Sequence, residues 1–137
     1  MVLSMFMAST AIAEAAEFPA APPKLKDAEA QGLVRMSAQE LREFLPGQME
    51  MKGVKGRHTK TFSPDGSAYR TGIGEKEASG TWRFDDKDNA YCNTFREKKG
   101  PQEYCFAVFR APDGVHYFSY EIDTGFYAHV WRRAKKD

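Results

Sequence analysis

From Gln48 onward the sequence consists of short stretches in which apolar and polar residues alternate, separated by turn signals at fairly even spacing. Alternation with a period of two is typical of β-strands, whereas an amphipathic helix repeats about every 3.6 residues. The turns are rich in Gly, Pro, Asp and Asn. The clearest are Lys55-Gly56, Ser63-Pro64-Asp65-Gly66, Asp85 to Asn89, Lys98 to Pro101, Ala111-Pro112-Asp113-Gly114 and Asp123-Thr124-Gly125.

This pattern predicts a mainly β fold, with seven or eight strands joined by tight turns into an antiparallel meander. A flat sheet of that size would leave two unpaired edges and one apolar face in water. The meander is therefore expected either to close into a small barrel or to fold over into a sandwich. One helix is expected before the strands.

The helix begins at the best local signal in the chain, Met36-Ser37-Ala38-Gln39-Glu40-Leu41. Ser37 can accept a hydrogen bond from the Glu40 amide, and the Glu40 carboxylate can accept one from the Ser37 amide, which forms a capping box. Pro46-Gly47 is expected to end the helix at about Leu45. The helix would then cover one end of the sheet.

The N-terminal third divides into three parts. Residues 1–16 contain an apolar run followed by small residues, which is typical of a signal peptide, although an apolar N-terminal helix is the alternative. The run is too short to span a bilayer. Residues 17–35 contain three prolines without apolar periodicity and are interpreted as a linker. The β domain is then expected over 36–134, in the periplasm or secreted.

The two cysteines, Cys92 and Cys105, do not form a CxxC motif and have no zinc-finger spacing. If the hairpin turns at Lys98-Lys99, residues whose numbers sum to 197 face each other, which places Cys92 opposite Cys105. Opposed residues in a non-hydrogen-bonded pair lie within disulfide reach. A structural disulfide is therefore predicted, with two unpaired core cysteines as the alternative.

Charge and motifs indicate few kinds of chemistry. The 20 basic and 19 acidic side chains nearly cancel, so nucleic-acid binding is not expected. Two basic segments, 52–60 and 132–136, could bind an anionic partner, or they could be charged edge strands that prevent aggregation. No enzyme activity and no cofactor are expected, because no nucleophile and base are spaced as a pair and the carboxylates are scattered.

The three histidines, His58, His116 and His129, suggest a metal site. A three-residue loop at Asp123-Thr124-Gly125 argues against it, because opposed residues would then sum to 248. His129 would face Ser119, and His116 would lie on the other side of the sheet. No metal is therefore expected.

The late strands are apolar on both faces. The simpler explanation is that the helix and loops cover part of the outside; the alternative is a ligand cavity or a self-association surface. Two non-enzymatic functions follow as hypotheses: binding of a small apolar or amphiphilic ligand, or interaction with an envelope protein, including inhibition. The residues expected to line a ligand site are Trp82, Phe84, Phe106, Phe118 and Tyr120.

Several short motifs together resemble a family of small exported bacterial proteins, the domain of unknown function numbered 995. They are the helix at Ser37 to Leu41, the Ser63-Pro64-Asp65-Gly66 turn, Gly80-Thr81-Trp82-Arg83, Tyr91-Cys92 and Tyr104-Cys105-Phe106. The resemblance covers roughly 37–133. It implies a lipocalin-like or streptavidin-like small barrel, and it brings no established activity.

Overall fold

The computed structural model describes residues 17–54, 56–72 and 75–134, apart from the side chains of 75, 76 and 97. The predicted signal peptide, 1–16, lies outside these ranges. Within them, no helix has both the length and the apolar character needed to cross a membrane.

Eight antiparallel strands form a closed barrel, which confirms the predicted fold class and decides for the barrel over the sandwich. Each strand of the barrel pairs with the next along the chain, and the last pairs with the first. A ninth, two-residue strand is added at one side. The elements are α1 Leu25–Ala30, β1 Val34–Arg35, α2 Ala38–Phe44, β2 Gly47–Gly53, β3 Gly56–Phe62, β4 Ser67–Gly72, β5 Glu75–Asp85, β6 Ala90–Glu97, β7 Gly100–Arg110, β8 Tyr117–Glu121 and β9 Tyr127–Arg133.

Helix α2 begins at the predicted capping box and closes one end of the barrel. The Glu40 amide donates to Ser37 Oγ at 3.2 Å, and the Ser37 amide donates to Glu40 Oε1 at 3.0 Å. Leu41 and Leu45 are fully buried in the cluster of side chains that fills the interior. The Ala38 amide also donates to Asn89 Oδ1, in the β5–β6 connection, at 2.9 Å. The helix therefore lies at the end of the barrel where that connection lies.

The barrel has two separate apolar clusters, one on each face of its wall. The interior cluster consists of Met36, Leu41, Leu45, Met49, Met51, Phe62, Ala68, Trp82, Tyr91, Phe95, Phe106, Val108 and Trp131. The outer cluster consists of Ala28, Ala107, Phe109, Ala111, Phe118, Tyr120 and Val130. Period-two alternation along β7, β8 and β9 explains why neighbouring residues divide between the two.

Residues 17–33, which we call the N-terminal strap, cover the outer cluster. The Tyr120 hydroxyl donates to the Pro22 carbonyl at 2.8 Å, and the Leu25 amide donates to the Gly125 carbonyl at 2.7 Å. Ala28 of α1 is fully buried. The prediction of a linker over 17–35 therefore differs from the structure, because this segment contains α1 and β1 and packs on the barrel wall. Cover for the outer apolar face, which was expected from the helix and loops, comes from the strap.

The predicted hairpin register around the cysteines is confirmed. Cys92 pairs with Cys105, Tyr91 with Phe106 and Phe95 with Gln102. The two cysteine Cα atoms lie 4.0 Å apart and the sulfurs are at bonding distance. Because Tyr91 and Phe106 point inward, the disulfide lies on the outer face of the β6–β7 pair.

Loss of the disulfide is expected to lower the stability of the barrel. Replacing both cysteines with Ala should decrease the free energy of unfolding by about 3 kcal/mol, since the cross-link closes a short loop in the unfolded chain. Urea denaturation of the oxidised wild-type protein and the double variant measures the difference. Reductant should lower the stability of the wild type and leave the double variant unchanged; an equal effect of reductant on both would contradict the bond.

The strap is expected to contribute to folding rather than to serve as a tether. Ala28→Glu should lower the free energy of unfolding by about 3 kcal/mol, because it forces an unpaired carboxylate against the outer cluster. Ala30→Glu is the matched control, since Ala30 is exposed on the same helix. Urea denaturation and limited proteolysis compare the two, and similar stabilities would argue against tight packing of the strap.

Candidate functional site

Strand β3 directs two basic side chains into the barrel. Its burial alternates so that His58, Lys60 and Phe62 face inward, and all three are at most 5% exposed. Phe62 belongs to the interior cluster near α2. His58 and Lys60 lie closer to the opposite end, which carries the β2–β3, β4–β5, β6–β7 and β8–β9 connections. Part of the basic segment 52–60 therefore lies in the lumen and not on the surface.

A cavity of about 120 Å³ lies between these side chains. This volume exceeds what a single water molecule needs and falls below the 300–1,000 Å³ typical of drug-sized ligands. The residues that line it are His58, Lys60, Arg70, Asn93, Phe95, Tyr104, Phe106 and His129. The cavity therefore suits a ligand of a few heavy atoms with polar groups.

The ring of Phe95 packs against both cations of the cavity. The Arg70 guanidinium carbon lies 4.7 Å from the ring centroid and the Lys60 Nζ lies 5.4 Å from it. Cation–π attraction offsets part of the cost of removing these charges from water. Both cations also have other partners in the chain.

The two lumen histidines meet across a glycine. Their ring centroids lie 5.0 Å apart in an edge-on arrangement, although His58 is on β3 and His129 is on β9, with β2 between them. Gly53 occupies the inward position of β2 beside them. A Cβ atom there would lie 2.8 Å from His129 Cδ2. The absence of a side chain at Gly53 therefore makes room for the His129 ring.

His129 has a pKa well below its ordinary value of 6.5. Burial is the largest cause, and the positive charges of Lys60, His58 and Arg70 act in the same direction. The imidazole is therefore neutral at pH 7.

Several buried polar atoms of the lumen have no hydrogen-bond partner among the described residues. Two of them, Asn93 Nδ2 and His129 Nδ1, belong to residues that line the cavity. Two others, the Tyr91 hydroxyl and Trp131 Nε1, belong to the interior cluster. A buried polar group left without a partner costs about 1–3 kcal/mol, so folded proteins satisfy such groups with water or a ligand. These atoms therefore indicate that the lumen can hold water or a small polar ligand.

The structure separates the predicted lining residues. Trp82, Phe84 and Phe106 face the interior, but only Phe106 lines the cavity, while Trp82 and Phe84 pack at the α2 end. Phe118 and Tyr120, which were also predicted to line a ligand site, lie outside the lumen. In β8 the inward position between them belongs to Ser119, which pairs with Val108, so both aromatic rings lie in the outer cluster under the strap.

The predicted pairing of His129 with Ser119 is confirmed, and His116 lies elsewhere. His116 precedes β8, and its Nδ1 lies 2.6 Å from Asp113 Oδ2. Its ring packs edge-on against Phe18 of the strap. The approach of His58 to His129 was missed. The available signal was Gly53, which follows Met49 and Met51 at the inward positions of β2.

The described side chains are poorly suited to coordinate a metal ion. The one described group of three potential ligands is Asp85, Cys92 and Cys105, and both of its sulfurs belong to the disulfide. The two lumen histidines lie beside Lys60 and Arg70, whose positive charges oppose the binding of a cation.

Comparison with known proteins returned no match from family models, curated proteins or solved structures. The resemblance to the domain of unknown function numbered 995 therefore stays a prediction. Functional conclusions for this chain depend on the site itself.

The depressed pKa of His129 predicts destabilisation in acid. The unfolded chain binds this proton near pH 6.5 and the folded protein only at lower pH, so stability is lost as pH falls below about 6.5. The slope for one proton approaches about 1.4 kcal/mol per pH unit. Urea denaturation between pH 7.5 and 5 measures it. His129→Gln should flatten this part of the profile, and an unchanged slope would contradict a neutral buried imidazole.

Proposed function

We propose that this protein is a non-enzymatic binding protein that takes a small polar ligand into the lumen of its barrel. The observation that carries the proposal is the cavity of about 120 Å³ whose wall includes two buried polar atoms, Asn93 Nδ2 and His129 Nδ1, without hydrogen-bond partners among the described residues. Eight-stranded barrels are just wide enough to be filled by side chains or to hold one small ligand. This barrel combines the two, with a filled half next to α2 and a cavity in the other half.

The packed half of the barrel next to α2 limits the ligands that the lumen can take. Aromatic rings occupy the space next to α2: Phe62 contacts Trp82, Tyr91 and Trp131, with ring centroids 5.4–6.5 Å apart. A long acyl chain would have to displace this packed core, which costs several kcal/mol. A small polar ligand therefore fits better than the apolar ligand expected from the sequence.

Asp113 and His116 resemble a catalytic base with its orienting carboxylate, but the imidazole that would act as the base is not accessible to a substrate. The His116 side chain is only 4% exposed, and the Phe18 ring packs against it with a centroid distance of 5.6 Å. Asp113 also accepts from the backbone amides of Val115 and His116 at 2.8 and 2.9 Å. These contacts support a structural role for the pair, in holding the loop before β8.

An exported location forms part of the proposal. Disulfides persist in oxidising compartments such as the periplasm. The bonding distance between Cys92 and Cys105 supports such a location. A ligand from the cell envelope or its surroundings is therefore in keeping with the fold.

Binding is tested by titrating the ¹⁵N-labelled protein with small molecules of different chemistry, namely acetate, phosphate, acetamide and glycerol. At least one is expected to shift the NMR signals of the Asn93 side-chain amide and the His129 backbone amide. Decanoate is the control for size, and we expect it to leave the lumen signals unchanged. If none of the small molecules moves lumen signals, the proposal is wrong.

A further inference from the structure

The proposed binding function leaves the chemical class of the ligand open. We propose that the ligand is a small oxyanion, a carboxylate or phosphate group, held in the lumen by Lys60, Arg70 and the pair of His58 and His129. This inference rests on the proposed function and specifies it further.

The wall of the cavity carries buried positive charge. Lys60 is 3% exposed, so its ammonium group acts in a medium that screens charge far less than water does. Both cations, Lys60 and Arg70, have other partners in the chain, and both line the cavity, so their positive potential extends into it. An anion in the cavity would be attracted by the same potential.

The polar groups of the cavity wall are mainly hydrogen-bond donors. An ammonium and a guanidinium are donors only, and the Asn93 amide nitrogen is a donor with no partner among the described residues. A neutral imidazole adds one N–H donor. Carboxylate and phosphate oxygens are acceptors that can satisfy several such donors at once, and charge-assisted bonds of this kind are about twice as strong as neutral ones.

The size and the apolar part of the wall agree with this class. Three aromatic residues, Phe95, Tyr104 and Phe106, complete the wall. A volume of about 120 Å³ accommodates a carboxylate with a short chain or an inorganic phosphate. It does not accommodate a polyanion such as a glycan or a nucleic acid.

Anion binding is expected to favour protonation of His129. The described groups that line the cavity with this ring or lie beside it are His58 and Lys60 from β3, Arg70 from β4, Asn93 and Phe95 from β6, Tyr104 and Phe106 from β7, Ser119 from β8 and Gly53 from β2. The charged ones among them are positive and oppose a proton on the imidazole. A bound anion offsets their charge, so proton and anion should bind cooperatively and affinity should increase as pH falls from 7.5 to 5.5.

The experiment compares acetate with acetamide, its neutral isostere, and with inorganic phosphate, by calorimetry and by NMR shift mapping at pH 7.5 and 5.5. We expect acetate or phosphate to bind at least about tenfold more tightly than acetamide, and more tightly at pH 5.5. Preference for acetate over phosphate, or the reverse, decides which oxyanion it is. If neither acetate nor phosphate binds more tightly than acetamide, this inference is overturned and the small-ligand function stays in place, whereas no lumen binding of any probe overturns both.

Two variants locate the charge effect. Lys60→Met keeps an unbranched side chain as long as the carbon stem of lysine but removes the ammonium, and should weaken anion binding at least about tenfold. Lys52→Met makes the same change on the outer face of the neighbouring strand β2, where Lys52 is exposed, and should have no effect. Equal losses in the two variants would indicate binding of an adventitious ion only.

A second measurement keeps the test decisive if Lys60→Met fails to fold. Asn93→Leu removes the amide donor from the cavity without changing any charge, and should weaken the same anion several-fold. In the wild-type protein, the shifts caused by the anion should centre on Asn93, His129 and Phe106. Shifts confined to the outer surface, or full affinity in Asn93→Leu, would contradict a lumen site.

Discussion

Closure of the barrel between β9 and β2 is the constraint on which the rest of the structure depends. Residues Met49 to Lys52 pair with Val130 to Arg133, which joins the last strand to the first and leaves no edge in the ring of eight. With eight strands the interior is narrow, so each inward side chain must share limited space with those opposite. Closure also brings side chains from strands distant in sequence into contact.

The interior divides into two halves of opposite chemistry. Near α2 the aromatic rings pack edge to face, as expected of a stable core. In the other half Lys60, Arg70, His58 and His129 replace apolar side chains at inward positions. Buried basic groups lower stability unless they are compensated. Such a local departure from good core packing is expected where a protein binds a ligand, and the strap and the disulfide contribute stability elsewhere.

The outer wall shows how much a local pattern leaves open. Prolines and the lack of apolar periodicity in 17–35 predict a linker, and the late strands show a second apolar face without indicating what covers it. In the structure the proline-containing segment covers the second apolar face. The strap packs on that face, and its Pro22 carbonyl accepts a hydrogen bond from the Tyr120 hydroxyl. A proline has no amide proton but keeps its carbonyl acceptor, so a segment without regular structure can still dock through its backbone.

Local interactions could be predicted from the sequence. The capping box of α2 depends on residues three apart, and the pairing of Cys92 with Cys105 depends on one short hairpin. The inward or outward direction of Phe118 and Tyr120 needed the register of β8 against β7, since a shift of one residue reverses every side chain. The basic cavity needed more. Lys60 and Arg70 are direct partners across the β3–β4 hairpin, which is a local pairing. Asn93 on β6 and His129 on β9 reach the same cavity only because the barrel closes. Sequence determined helix α2, the meander of strands after it and the hairpin pairings. Tertiary structure decided how 17–35 folds and which side chains share the lumen, because contacts between distant segments depend on the closed geometry of the whole sheet.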